Sequence, residues 1–231
     1  MTEFVVYGTP LSPFVRKVEA VLGEKGLPYD VEAVNILAKP DWFLAMSPLG
    51  RIPVLRDRRL GLDGVAGTIP DSSAIAAFLE ADTPVPGLYP KQAFALGQAT
   101  WLEEYADSEL AMTIGMGIFR PLLLPRLQGK EPDVAAARAT WREKLPRLFD
   151  YLERVLDGRI WFVGEALTIA DIAVTCQLTS LRLVAGLPDA RRWPGLVAHT
   201  SRVSARPSFR RNLQACEGML SRALPSPVAL D

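Results

Sequence analysis

The chain has 231 residues, 49% of them hydrophobic and 23% charged, with 26 basic side chains balanced by 26 acidic ones. These proportions are those of a globular protein with apolar material for one large core or two small ones. A formal net charge of zero provides no field for a polyanion, so nucleic acid is not an expected partner.

No basic and apolar leader precedes the first strand-like run, which begins near residue 3. The longest weakly charged stretch, Leu110 to Pro125, contains Arg120 and two prolines and reads as too short to span a bilayer. A cytoplasmic protein without membrane attachment is expected. Cys176 and Cys216 lie far apart in helical patterns without metal-ligand spacing, so the expectation is two buried thiols and no metal.

Strand signals fall at Phe4 to Tyr7, Tyr29 to Ala33, Pro53 to Leu55 and, weakly, Thr68 to Ile69. Helical signals fall at Pro13 to Lys25, Asp41 to Met46 and Ser72 to Ala81. The order βαβαββα predicts a small α/β layer domain with a mixed sheet over residues 1–82. Residues 83–90, with three prolines and a glycine, read as a linker.

From residue 91 to 231 the strand signal is absent and an all-helical domain is expected. Trp101, Tyr105, Ser108 and Met112 follow one helix face; Trp141, Leu145, Leu148, Leu152 and Val155 follow another, with Pro146 forcing a kink or a later start. Thr168 and Asp171 are spaced as a capping box, and Leu167 and Ile172 as its hydrophobic staple. Pro225-Ser226-Pro227 marks a tail expected to be loose.

One stretch has the chemistry of a site. Tyr7-Gly8-Thr9-Pro10-Leu11-Ser12-Pro13-Phe14-Val15-Arg16 is a strand, a turn and a helix start, with Ser12 as N-cap and Pro13 as the first helical residue. On its own this is a helix cap. The alternative is that the hydroxyl and the unpaired N–H groups at the positive helix end hold an anionic atom of a ligand.

Four motifs, in order and on these elements, are similar to those of the cytosolic glutathione S-transferase family. They are Ser12-Pro13-Phe14 followed by Val15-Arg16-Lys17-Val18, Ser47-Pro48-Leu49-Gly50-Arg51-Ile52-Pro53-Val54-Leu55, Asp71-Ser72-Ser73-Ala74-Ile75, and Thr168-Ile169-Ala170-Asp171. The first resembles the catalytic segment of the serine-type classes. Ser47 stands where the family usually has Asn, and Asp71 where it has Glu. The loop after Arg56, as far as Gly67, departs from the family's short turn.

The resemblance implies an N-terminal thioredoxin-like domain, glutathione as co-substrate, a small electrophilic second substrate and a homodimer. Ser12 would be the catalytic group, donating to the glutathione sulfur and stabilising the thiolate. Arg51 falls within the loop motif that approaches glutathione, and Ile52-Pro53 would be a cis peptide whose Ile52 backbone pairs with the cysteinyl part. A trans proline opening an edge strand is the alternative. Asp71 would meet the α-ammonium, and Ser72, taken as the cap of its helix, the γ-glutamyl carboxylate. Lys39 matches a lysine that contacts the glycine carboxylate in some classes. Tyr7, Phe14, Met112, Met116 and Phe119 would wall the electrophile pocket, with Tyr7 also a rival hydroxyl donor. The lone histidine, His199, is given no chemistry. An isomerase or peroxidase on the same site, or a scaffold without turnover, stands beside the transferase.

Overall fold

The computed structural model describes residues 2–230. They form two compact units, one running to Leu88 and taking in Pro207–Asn212, the other containing Tyr89–Arg206 and the residues from Leu213 onward.

The first unit is built in the order β1 (Phe4–Gly8), α1 (Pro13–Glu24), β2 (Tyr29–Ala33), α2 (Asp41–Met46), β3 (Val54–Asp57), β4 (Thr68–Ile69) and α3 (Ser72–Asp82). The sheet order is β2-β1-β3-β4, with β1 parallel to β2 and antiparallel to β3, and β4 antiparallel to β3. This is the mixed sheet the alternation predicts and the thioredoxin-like arrangement the resemblance implies. The central strand β1 is buried along its whole length, so its side chains divide between two apolar layers. Val5 and Tyr7 pack with Val34, Phe43, Met46 and Val54 on the face that carries α2. On the other face the Phe4 ring meets Phe78 of α3 edge-on at 6.4 Å.

Gly8 ends β1 where no side chain fits. A Cβ there would lie 2.5 Å from Val15 Cγ2 and 3.5 Å from Ile52 Cβ, so its absence lets the first turn of α1 close on the end of the strand. Gly8→Ala is expected to destabilise by ~1–3 kcal/mol, as overpacking does, measured by urea unfolding.

Two buried cations tie loops to this unit. Lys25 Nζ donates to Glu80 at 2.8 Å, Thr83 C=O at 2.6 Å and Pro86 C=O at 3.0 Å, and Glu80 accepts the Leu88 N–H at 3.0 Å, so the proline-rich segment is fastened down. Arg56 does the same for residues 57–67. Its guanidinium donates to the carbonyls of Asp63, Ala66 and Gly64 at 3.0, 2.9 and 2.7 Å, and to the Tyr7 hydroxyl at 3.3 Å. The longer loop is thus wrapped around the charge that opens it.

The second unit begins with α4 (Ala93–Leu127), followed by α5 (Val134–Glu143), α6 (Leu145–Leu156), α7 (Ile169–Ala185), α8 (Pro194–Ser204) and α9 (Pro207–Leu220), the last shared with the first unit. Within α4, Leu102, Ala106, Leu110, Ile114, Ile118 and Leu122 are buried and recur every fourth residue. In a plain α-helix a step of four drifts by about 40°, and five such steps by about 200°. Two π-helical segments, Ala106–Leu110 and Gly115–Phe119, widen the turn and hold these residues on one face.

That register overturns the expected apolar face. Trp101 is 54% and Met112 62% exposed, because the four-residue repeat places Leu102 and Ala106 inward instead. By length and composition alone the 35-residue α4, which contains Leu110 to Pro125, is long and apolar enough to cross a membrane. Its inward face is nonetheless packed within the second unit.

Other expectations hold. The helix breaks at Lys144 and restarts with Pro146 in the first turn of α6. The capping box at Thr168 is formed, with Leu167 and Ile172 buried. Both cysteines are buried outside any disulfide. The tail is not loose: Val228 N–H donates to Val184 C=O at 2.8 Å, and Leu224 and Leu230 are buried. His199, given no catalytic part, has a structural one: its Nε2 lies 2.8 Å from Asp171 Oδ1 in the core of this unit.

Candidate functional site

Three segments converge at the C-terminal end of β1. The turn Thr9 to Ser12 is closed by Ser12 N–H donating to Thr9 C=O at 3.0 Å, and leads directly into α1. Ser12 is the N-cap in extended backbone geometry, φ −74° and ψ 124°. Its Oγ accepts the Val15 N–H at 3.4 Å, a long capping bond. Among the described residues its half-buried O–H finds no acceptor. Phe14, half-buried, follows it in the first turn of α1.

The second segment is the loop before β3. Ser47, fully buried, accepts the Arg51 N–H at 3.0 Å and donates to the Arg51 C=O at 2.8 Å. One hydroxyl therefore clamps both backbone groups of the residue before Ile52, and the serine keeps the loop in the way an asparagine amide would. Ile52-Pro53 is cis. Neither the Ile52 N–H nor its C=O has a hydrogen-bond partner among the described residues. Arg51 is exposed, and the Lys39 stem runs beside Gly50, with Cδ 3.4 Å from where a Gly50 Cβ would stand. Ser47→Ala should cost ~1–3 kcal/mol by leaving the Arg51 groups unpaired, measured by urea unfolding.

The third segment is the start of α3. Asp71, not Ser72, is its cap: Oδ1 accepts the N–H groups of Ser73 and Ala74, both at 2.9 Å. The correction follows from reach. Capping takes a side chain one residue outside the helix whose oxygen reaches back to the second and third N–H groups, and Ser72 is already the first helical residue. The Ser72 N–H and hydroxyl have no partner among the described residues, and Asp71 Oδ2 is likewise uncommitted. A carboxylate acceptor and unpaired donors thus sit side by side at a helix N-terminus.

These segments are held together inside the first unit. Val15, one turn beyond Ser12, and Ile52 flank Gly8, and buried Lys17 of α1 donates to Ser73 of α3 at 2.9 Å. Ser12, Ile52, Pro53, Asp71 and Ser72 are brought to one end of the sheet. Tyr7, next to Gly8 at the same end, turns its ring to the α2 face instead: its hydroxyl accepts the Arg56 N–H, and it lines a cavity of about 270 Å³ with Trp42 and Met46. Met112, Met116 and Phe119 belong to α4; both methionines are exposed and Phe119 is half-buried, so none lies in the core of the second unit.

Sequence reasoning treated Ser47 as a tolerated departure and missed its clamp. The signal was its position four residues before Arg51, short enough for one hydroxyl to bridge both backbone groups.

Residues 6–87 match the family model for the glutathione S-transferase N-terminal domain, and residues 110–207 that for the C-terminal domain. The chain is 32% identical over 228 residues to glutathione S-transferase 3 of Zea mays, covering 93% of this chain and 95% of the relative. It is 27% identical to FtsZ-localized protein A of Caulobacter vibrioides, covering 90% of each. Among solved structures, a glutathione S-transferase from Rhodospirillum rubrum F11 superposes with a TM-score of 0.77 at 30% identity, covering 91% of each chain. A chain whose two halves match the two halves of one family, in order and over nearly its whole length, belongs to that family: it is a member of the glutathione S-transferases.

Proposed function

We propose that the chain is a glutathione transferase in which the Ser12 hydroxyl stabilises the glutathione thiolate for attack on a small apolar electrophile. The observation that carries this reading is the unspent Ser12 O–H at the start of α1, beside an Ile52 backbone edge with no internal partner. The cysteinyl backbone adds to that edge as a short strand, while Asp71 and the Ser72 donors take the γ-glutamyl ammonium and carboxylate. Lys39 and Arg51 supply positive charge for the glycine carboxylate. No base is required, because a charge-assisted hydrogen bond of ~1.5–3 kcal/mol lowers a thiol pKa of about 8.5 by about one to two units. The product is a thioether. Two chains pair as a homodimer and act in the cytoplasm.

A second reading is a binding scaffold of the same fold, favoured by the likeness to FtsZ-localized protein A. The rate of thioether formation from glutathione and an activated aryl halide separates the two. The transferase reading expects a saturable rate well above the buffer reaction at equal pH; glutathione binding without acceleration supports the scaffold.

A further inference from the structure

The turn that carries Ser12 is held from a residue far along the chain. Pro10, in the middle of that turn, presents its carbonyl to Asn212 Nδ2 at 3.2 Å and to Arg16 Nη2 at 3.4 Å. Asn212 Oδ1 in turn accepts the Arg16 Nε–H at 2.8 Å, and Asn212 Nδ2 also donates to Glu19. Arg16, Glu19 and Asn212 are at most 2% exposed, so the bonds among them lie where water does not compete, and those to the half-buried Pro10 carbonyl come from buried donors. Asn212 belongs to the segment Pro207–Asn212, which groups with the first unit although it follows the second in sequence.

The geometry of the turn makes this hold directional. Ser12 N–H donates to Thr9 C=O and Ser12 C=O accepts the Arg16 N–H, both at 3.0 Å, so Ser12 is carried by the turn on one side and by the start of α1 on the other. A rotation of the Pro10-Leu11 peptide reshapes that turn and so moves the backbone from which Ser12 Oγ projects. An amide that accepts from Arg16 and donates to Pro10 locks that rotation. The Arg16 bond to Pro10 is the longer of the two, and Asn212 also holds Arg16 itself at Nε.

We infer that Asn212 is a positioning residue for Ser12, acting through the Pro10 carbonyl to aim the hydroxyl at the glutathione sulfur. This rests on the assignment of Ser12 under the proposed function. A double-mutant cycle tests both, reading the pKa of enzyme-bound glutathione from thiolate absorbance, the glutathione Kd and the melting temperature. In Asn212→Ala the bound thiol pKa should rise by about half a pH unit or more and kcat fall about five-fold, with Kd changed less than about two-fold. In a Ser12→Ala background the same substitution should leave the thiol pKa unmoved, since there is no hydroxyl left to aim. Asn212→Ser, which keeps a small donor, serves if the alanine variant does not fold, with the same direction expected.

A lower melting temperature with an unchanged thiol pKa in the folded Asn212 variants overturns the positioning role and leaves Ser12 standing. A thiol pKa that Ser12→Ala itself does not alter overturns both. A shift caused by Asn212→Ala that persists in the Ser12→Ala background shows action by another route and also overturns the inference.

Discussion

Asp171→Ala is expected to cost ~3–5 kcal/mol of stability and to lower the melting temperature by about 10 °C. The carboxylate is fully buried and has four donors. Oδ1 accepts the Phe162 N–H at 2.9 Å and faces His199 Nε2 at 2.8 Å; Oδ2 accepts the Thr168 N–H at 2.7 Å and the Thr168 hydroxyl at 2.9 Å. His199 Nδ1 is buried with no partner, so in the neutral ring the proton sits on Nε2 and is donated to Asp171. Removing the carboxylate leaves two backbone N–H groups and an imidazole N–H unpaired in the core, each costing ~1–3 kcal/mol before relaxation. It also undoes the capping box that starts α7, a helix buried on most of its surface. Thermal unfolding followed by circular dichroism measures the effect. A loss below about 1 kcal/mol would mean that the network is dispensable.

Ser12→Ala is expected to lower turnover at least ten-fold while leaving glutathione affinity within about two-fold. On the proposed reading the hydroxyl would meet only the sulfur, whereas the Ile52 edge, Asp71 and Ser72 would hold the rest of the tripeptide. The fold should barely respond, because the capping bond lost is 3.4 Å long and of the order of 0.5 kcal/mol. Tyr7→Phe is the contrast. It removes the acceptor of an Arg56 N–H and so loosens the 57–67 loop, yet it should leave turnover unchanged. Steady-state kinetics on both variants decides between the two hydroxyls; the reverse pattern would transfer the role to Tyr7.

Much of this architecture could be read from sequence because local and global signals agree. The strands at Phe4, Tyr29 and Thr68 begin where the alternation puts them, and Pro13, Pro146 and Thr168 mark helix starts by restricting the backbone or capping it. The failures come from distance and from turn geometry. The inward face of α4 was missed because its four-residue repeat makes sense only with π turns, which no residue type announces. The role of His199 depends on a partner 28 positions away, and the hold on Pro10 on one 202 positions away. The Asp71 cap was read one residue late because Asp, Ser and Ser are all competent caps, and only backbone geometry selects among them. Of the site, the residue types at Ser12, Pro53 and Asp71 could be read from the motifs; their convergence through Gly8 and Lys17 could not.

The proposed function stands or falls with the activation of bound glutathione by Ser12. The most direct test is a pH titration of thiolate absorbance for glutathione bound to saturating protein, run on the native chain and on Ser12→Ala. The bound thiol should titrate about one to two units below the free value near 8.5, returning toward it in the variant. A bound thiol that titrates like free glutathione, or a lowered pKa that Ser12→Ala leaves in place, would contradict it.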